Sequence, residues 1–210
     1  MLIFYIVLCC VVAYLLGSIP SAIWVGKKFY NIDVREHGSK NAGATNTFRV
    51  LGKKAGIPVL IFDILKGFAA VQLVQLLPLD SFSTDLLISL NILLGACAVL
   101  GHIFPVFANF KGGKGVATVT GVVAAIHPLA WLVSTIVFLI ALLIGRYVSL
   151  SSMIAAITFP IIIVFVLPDY SRVLDIFSIV IAFLIIATHR KNIERLIKKE
   201  ESRVNFGSKK

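Results

Sequence analysis

Residues 129–145, LAWLVSTIVFLIALLIG, carry no charge and end at Arg146. A run of roughly 20 such residues, wound as a helix, crosses the hydrocarbon core of a bilayer. Working outward, the stretches 2–25, 56–78, 85–106, 115–127, 152–167 and 173–189 read the same way, which makes seven candidate spans. The stretch 115–127 is too short to cross alone, and Gly121 and the His127-Pro128 break mark it as a half-length piece packed among its neighbours. Pro160 and Pro168 punctuate the sixth span, which is therefore kinked or short. The expected fold is an all-α integral membrane protein, a bundle of about seven transmembrane helices, some half-length.

Composition agrees. The chain has 210 residues, 59% hydrophobic and 14% charged, with mean hydropathy +0.97, which excludes a soluble globular domain. The first apolar stretch runs past signal-peptide length without a basic leader, so it is expected to stay as a span. Cys9, Cys10 and Cys97 all fall inside apolar stretches and lack zinc spacing, so they read as small buried hydrophobes.

Charge sets the expected orientation. The 27–55 loop holds Lys27, Lys28, Arg35, Lys40, Arg49, Lys53 and Lys54. Lys111, Lys114 and Arg146 fall on the same side, as do Arg190, Lys191, Arg195, Lys198, Lys199, Arg203, Lys209 and Lys210. Together these are 18 of the 20 basic residues; Arg172 lies opposite with Asp80, Asp85, Asp169 and Asp175. Cytoplasmic loops collect lysine and arginine, so the N-terminus is expected outside and the C-terminus in the cytoplasm. That orientation needs an odd number of spans; five, with 115–127 and 129–145 re-entrant or merged, is the alternative. The net charge of +10 is juxtamembrane and points to anionic headgroups rather than nucleic acid. No repeat or linker divides the chain, so residues 1–210 are expected to form one membrane-integral domain, with 197–210 an interfacial or disordered tail.

Four polar segments share the basic face. In Gly38-Ser39-Lys40-Asn41-Ala42-Gly43-Ala44-Thr45-Asn46-Thr47, followed by Arg49, the side chains of Ser39, Thr45 and Asn46 offer hydrogen bonds to an anion and Arg49 a bidentate grip. A Walker loop is excluded because Ala44 stands where the motif's lysine would follow Gly43. In Phe110-Lys111-Gly112-Gly113-Lys114-Gly115-Val116-Ala117-Thr118, glycines let backbone approach a ligand and consecutive amides form an oxyanion nest. A helix starting near Gly115 would add its positive end, and Lys111 and Lys114 full charge. His102 nearby is a proton carrier or a partner of the loop backbone. In Arg146-Tyr147-Val148-Ser149-Leu150-Ser151-Ser152 the hydroxyls cap the next helix or reach substrate. In His189-Arg190-Lys191-Asn192-Ile193-Glu194-Arg195-Leu196, His189 and Asn192 lie one turn apart as contact candidates, and Glu194 has ion-pair partners in Arg190 and Lys198. Within the second span Asp63 and Lys66, three apart, partner each other as a structural strut; a proton pathway is the sharper alternative.

Three of these segments follow in order the motifs Gly38-Ser39-x-Asn41-x-Gly43-Ala44-Thr45-Asn46 with Arg49, Gly101-His102-x-Phe104-Pro105 with Lys111 to Thr118, and His189-Arg190-x-Asn192-Ile193-x-Arg195-Leu196. Over nearly its full length the chain resembles the bacterial acyl-phosphate:glycerol-3-phosphate acyltransferases. The resemblance implies a seven-span enzyme of the bacterial cell (inner) membrane, its active site facing the cytoplasm. It implies transfer of a fatty acyl group from acyl phosphate to the sn-1 hydroxyl of glycerol 3-phosphate, with no cofactor or metal. Functional coupling to the enzyme that makes acyl phosphate would follow. By the same resemblance Ser39 and Arg49 are essential, Lys111, Gly112, Gly113, Lys114 and Gly115 form the glycerol phosphate site, and His189 and Asn192 act in catalysis. Glu194 is chiefly structural, and Ser152 or Ser151 contacts substrate. The four segments are then expected to meet in a single cationic cavity.

Rivals fare worse. None of His37, His102, His127 or His189 has an aspartate five places on, as a His-x4-Asp acyltransferase needs, and a CDP-alcohol phosphotransferase needs clustered aspartates where the spans offer Asp63 alone. A membrane transporter of an organic phosphate would be expected to show internal repeats and a midplane site.

Overall fold

The computed structural model describes residues 1–78, 82–167 and 171–205, and every regular element among them is helical. The order is α1 (Leu2–Ser18), α2 (Ser21–Tyr30), α3 (Ala44–Leu51), α4 (Lys53–Gln72), α5 (Thr84–Ile103), α6 (Val116–Ile126), α7 (Pro128–Gly145), α8 (Val148–Ile161), α9 (Arg172–Thr188) and α10 (Arg190–Ile197). A 3-10 turn, Leu73–Leu76, continues α4, and a π turn, Ile162–Val166, continues α8. Asp80, Pro168, Asp169, Lys209 and Lys210 lie outside the described residues.

Among the described residues four helices are long and apolar enough to cross a membrane: α4, α5, α7 and α8, the first, second and fourth taken with their end turns. The bent pairs α1–α2 and α9–α10 raise the number to as many as six. The short α6 is the seventh apolar segment; at ~1.5 Å per residue it reaches about half of the ~30 Å hydrocarbon core. The all-α membrane class therefore holds. One boundary needs correction, since 2–25 is not a continuous helix but bends by 41° between Ser18 and Ser21. Pro20 has no N–H to continue the ladder, and its carbonyl instead accepts from Ile23 and Trp24 to start α2. The irregularity expected of the sixth span takes the form of the wider π turn just after Pro160.

The chain forms two compact units, Met1–Pro128 and Leu129–Lys210. In the first, α1 packs along α5 and α4 along α6. A Cβ at Gly67 would strike the Thr118 carbonyl and one at Gly121 the Ile64 carbonyl, so α4 and α6 meet backbone to backbone. Cys9, Ala13, Ala70, Val74, Leu90, Leu94 and Ala98 form one core cluster. A second, of Ala22, Ile23, Val34, Ala42, Val59 and Ala108, underlies the polar loops. In the second unit α8 packs on α9. Along α7 only Ala130 is buried, a surface suited to hydrocarbon.

Candidate active site

In the first unit, α3 rises within the first polar segment and carries Thr45, Asn46 and Arg49. Gly38 and Lys40 are left-handed (φ 60° and 59°) and turn the chain back on itself. The Ser39 N–H thereby donates to Asn46 Oδ1 at 2.8 Å, while Asn46 Nδ2 donates to the carbonyls of Val34 (2.7 Å) and His37 (3.1 Å). The buried Asn46 amide thus braces the loop backbone, and both its N–H groups are engaged there. Ser39 is half-buried; Thr45 and Arg49 are exposed.

The Lys-Gly loop is held differently from the sequence expectation. The Gly112 N–H donates to the Ile103 carbonyl and the Gly113 N–H to the His102 carbonyl, each at 3.1 Å, so this amide pair forms no oxyanion nest. The last carbonyls of α5 lack intrahelical partners, and the returning glycines supply them. The expected helix start does occur: α6 begins at Val116 behind Gly115 (φ 84°). Its first intrahelical bond runs from Val119 N–H to the Gly115 carbonyl at 2.8 Å, which leaves the amides of Val116, Ala117 and Thr118 at the positive end. Lys111 is exposed and Lys114 half-buried.

Beneath this loop lies a buried charged cluster. Asp63 Oδ1 accepts from Ser21 Oγ and from Lys66 Nζ, both at 2.8 Å, and His102 Nδ1 is 3.7 Å away. Lys66 also donates to the Ile19 carbonyl at 2.9 Å. Asp63, Lys66 and His102 are 1%, 4% and 6% exposed, so the Asp63 and Lys66 charges answer each other rather than water. His102 presses against Gly113, and Asp63, Lys66, His102, Gly112 and Gly113 line one small cavity. The structure therefore brings the intramembrane pair and the glycine loop together through His102.

Beside it opens a polar cleft of about 420 Å³ lined by Asp33, Arg35, Glu36, Lys40, Asn109, Lys111 and Gly112. Arg35 Nε and Nη2 donate to the two Asp33 oxygens (3.0 and 2.7 Å), and Nη1 donates to the Ala108 carbonyl (3.2 Å). These Arg35 hydrogen bonds hold the Asp33 carboxyl far below the usual carboxylate range, against the burial that raises it.

In the second unit, the hydroxyls of Ser151 and Ser152 donate to the Tyr147 and Val148 carbonyls, both at 2.8 Å. Ser149 Oγ instead donates to Glu201 Oε1 (2.9 Å), the same oxygen that accepts from Asn192 Nδ2 (2.7 Å). Arg195 Nε reaches Glu201 Oε2 at 2.9 Å. Burial pushes the Glu201 carboxyl up, but the Asn192 and Ser149 hydrogen bonds and the Arg195 charge outweigh it and hold the group below its ordinary value. Two hydrogen bonds hold the described part of the tail against the turn before α8: Val204 N–H bonds the Arg146 carbonyl at 2.7 Å and Arg203 Nε the Tyr147 hydroxyl at 2.8 Å. Residues 206–210 lie outside the described residues. His189, buried where α9 meets α10, has Nδ1 2.7 Å from the Ile185 carbonyl, which can only accept, so the proton sits on Nδ1. Glu194 pairs with Arg190 at 3.4 Å, both exposed.

The sequence profile of the glycerol-3-phosphate acyltransferase family matches residues 7–199. The chain belongs to that acyltransferase family. The glycerol-3-phosphate acyltransferase of Enterococcus faecalis is 46% identical over 96% of this chain and 93% of its own. That of Bacillus cereus strain G9842 is 45% identical over 95% of each. The crystal structure of PlsY, an integral membrane glycerol 3-phosphate acyltransferase, in its glycerol 3-phosphate form, aligns with a TM-score of 0.85 at 42% identity, covering 95% of this chain and 96% of PlsY. Its lysophosphatidic acid form aligns at 0.81. Several polar partners in this acyltransferase escaped the sequence reading: Ser21, the Asp33–Arg35 pair and Glu201. Only Glu201 left a signal, as an acid within a basic tail.

Proposed function

We propose that this enzyme transfers a fatty acyl group from acyl phosphate to the sn-1 hydroxyl of glycerol 3-phosphate. The products are 1-acyl-glycerol 3-phosphate (lysophosphatidate) and inorganic phosphate, in the first step of phospholipid synthesis. It works in the bacterial cell membrane with its polar face to the cytoplasm. The observation that carries this is the alignment over nearly the whole chain with PlsY in its glycerol 3-phosphate form, together with the Lys111–Gly115 loop seated over the buried Asp63–Lys66–His102 cluster.

An acyl phosphate is a mixed anhydride with a good leaving group, so no protein nucleophile is required. The sn-1 oxygen attacks the acyl carbonyl carbon, the new ester C–O bond forms, and the bond to the phosphate oxygen breaks. A phosphate oxygen of a substrate takes the hydroxyl proton; His189 is the alternative base. The protein's task is to hold two anions, offset their charge and aim the hydroxyl. We assign the charge to Arg49, Lys111 and Lys114, and hydrogen bonds to Ser39, Thr45, Ser152 and Asn192. Gly112, Gly113 and Gly115 give the close backbone approach, and Asn46 shapes the first loop. Asp63, Lys66 and Glu194 are structural. The acyl chain lies along apolar helix faces, each buried CH₂ contributing about 0.8 kcal/mol.

Purified protein in lipid, given palmitoyl phosphate and glycerol 3-phosphate, should release phosphate, whereas palmitoyl-CoA should support no transfer. Ser39→Ala and Arg49→Ala should each abolish release, a loss of at least ~100-fold in kcat/KM. Wild-type kinetics in both variants would remove these two residues from the site, and transfer from palmitoyl-CoA would overturn the donor.

A further inference from the structure

We propose that Asp33 and Arg35 act as one positioning unit that fixes the 105–112 loop, and with it Lys111 and Gly112, along the polar cleft. The proposal rests on the reading that this loop serves glycerol 3-phosphate. Arg35 lines the cleft and is by type a prime phosphate ligand. Yet its fork is already engaged, with Nε and Nη2 on Asp33 at 3.0 and 2.7 Å and Nη1 on the Ala108 carbonyl at 3.2 Å. Asp33 is anchored in turn: Oδ1 accepts the Arg35 N–H at 3.0 Å, and Lys27 Nζ lies 3.3 Å from Oδ2.

The far end of this tether is what matters. The Ala108 carbonyl that receives Arg35 also receives the Lys111 N–H, at 3.2 Å. Between those residues the chain takes two successive left-handed steps, Asn109 (φ 54°) and Phe110 (φ 57°). Two such steps in a row are unfavourable for non-glycine residues, above all for the bulky Phe110, so the reversal needs holding from outside. Arg35 supplies that hold at the carbonyl which sets the Lys111 backbone. Because Asp33 balances the guanidinium, the other charged side chains lining the cleft are Lys40, Lys111 and Glu36. Arg35 thus acts on substrate binding through the loop.

The test uses the full chain in lipid, with Asp33→Asn, Arg35→Gln, Arg35→Lys and the Asp33→Asn/Arg35→Gln double variant. Each is assayed for KM and kcat with palmitoyl phosphate and varied glycerol 3-phosphate, and for the rate of tryptic cleavage after Lys111. Each single variant should raise KM for glycerol 3-phosphate about tenfold with kcat within about twofold. The Arg35→Lys variant should not rescue, since an ammonium cannot span Asp33 and the Ala108 carbonyl together. The double variant should be no worse than the worse single, the signature of one unit. Cleavage after Lys111 should quicken at least fivefold. Unchanged KM, effects that multiply in the double variant, or loss of kcat alone with a lowered Tm would overturn the proposal. Should the wild type release no phosphate, the substrate reading fails by itself, while unchanged cleavage after Lys111 would still sink the tether.

Discussion

Gly112 and Gly113 are neighbours with the same side chain, yet the structure gives them different tolerances. A Cβ at Gly112 would meet the His102 carbonyl, which is backbone at the end of α5 and cannot turn aside. At Gly113 it would meet the His102 imidazole, a side chain rather than backbone. Gly113→Ala should therefore raise KM for glycerol 3-phosphate by about tenfold with kcat largely kept. Gly112→Ala should remove activity and lower Tm by roughly 5 °C or more, as overpacking does. Steady-state kinetics and thermal unfolding in detergent check both; equal behaviour of the two variants would refute the distinction. Residue type alone did not reveal this, because both glycines look like ligand-facing backbone. Asn46 teaches the same: its amide suits a phosphate, but its partners at Val34 and His37 exist only because Gly38 and Lys40 turn the chain left-handed.

Among the elements, α6 and the C-terminal tail mark the limits of local reading. The half-length α6 was legible from Gly121 and the His127-Pro128 stop, whereas its bed on α4 depends on Gly67 and Ile64, more than fifty residues earlier. By sequence the tail reads as an interfacial or disordered segment, and the half-buried Glu201 carboxylate makes its described part a strap across the start of α8. Since the folded value of Glu201 lies below its unfolded one, its contribution is complete above that unfolded value. It is lost as pH falls through the lower, folded value. The Val204 amide, bonded to the Arg146 carbonyl, should then stay protected from pH 8 to about 5 and lose protection under stronger acid. In Glu201→Gln its hydrogen exchange, corrected for intrinsic rate, should be at least tenfold faster at pH 7. Equal protection in wild type and variant would mean the carboxylate does not hold the strap.

For the whole molecule the charge count makes a direct prediction of sidedness. In a background with Cys9, Cys10 and Cys97 replaced, Lys40→Cys and Lys191→Cys should resist a membrane-impermeant thiol reagent in intact cells, and Ser83→Cys should react. Labelling of Lys40→Cys and Lys191→Cys on opposite sides would break the common face on which the proposed reaction depends. The amino-acid sequence by itself determined the helical membrane class, the approximate spans, the skew of cations and the family motifs, because these follow from hydropathy, proline and glycine punctuation and residue order along the chain. It could not determine the break of the first span at Pro20, the partners of Asn46, the sharing of Glu201 among Ser149, Asn192 and Arg195, or the grip of Arg35 on Ala108. Those were decided by tertiary structure, since a hydrogen bond is won by whichever group the fold brings within about 3 Å, and that distance is not written in the spacing of residues.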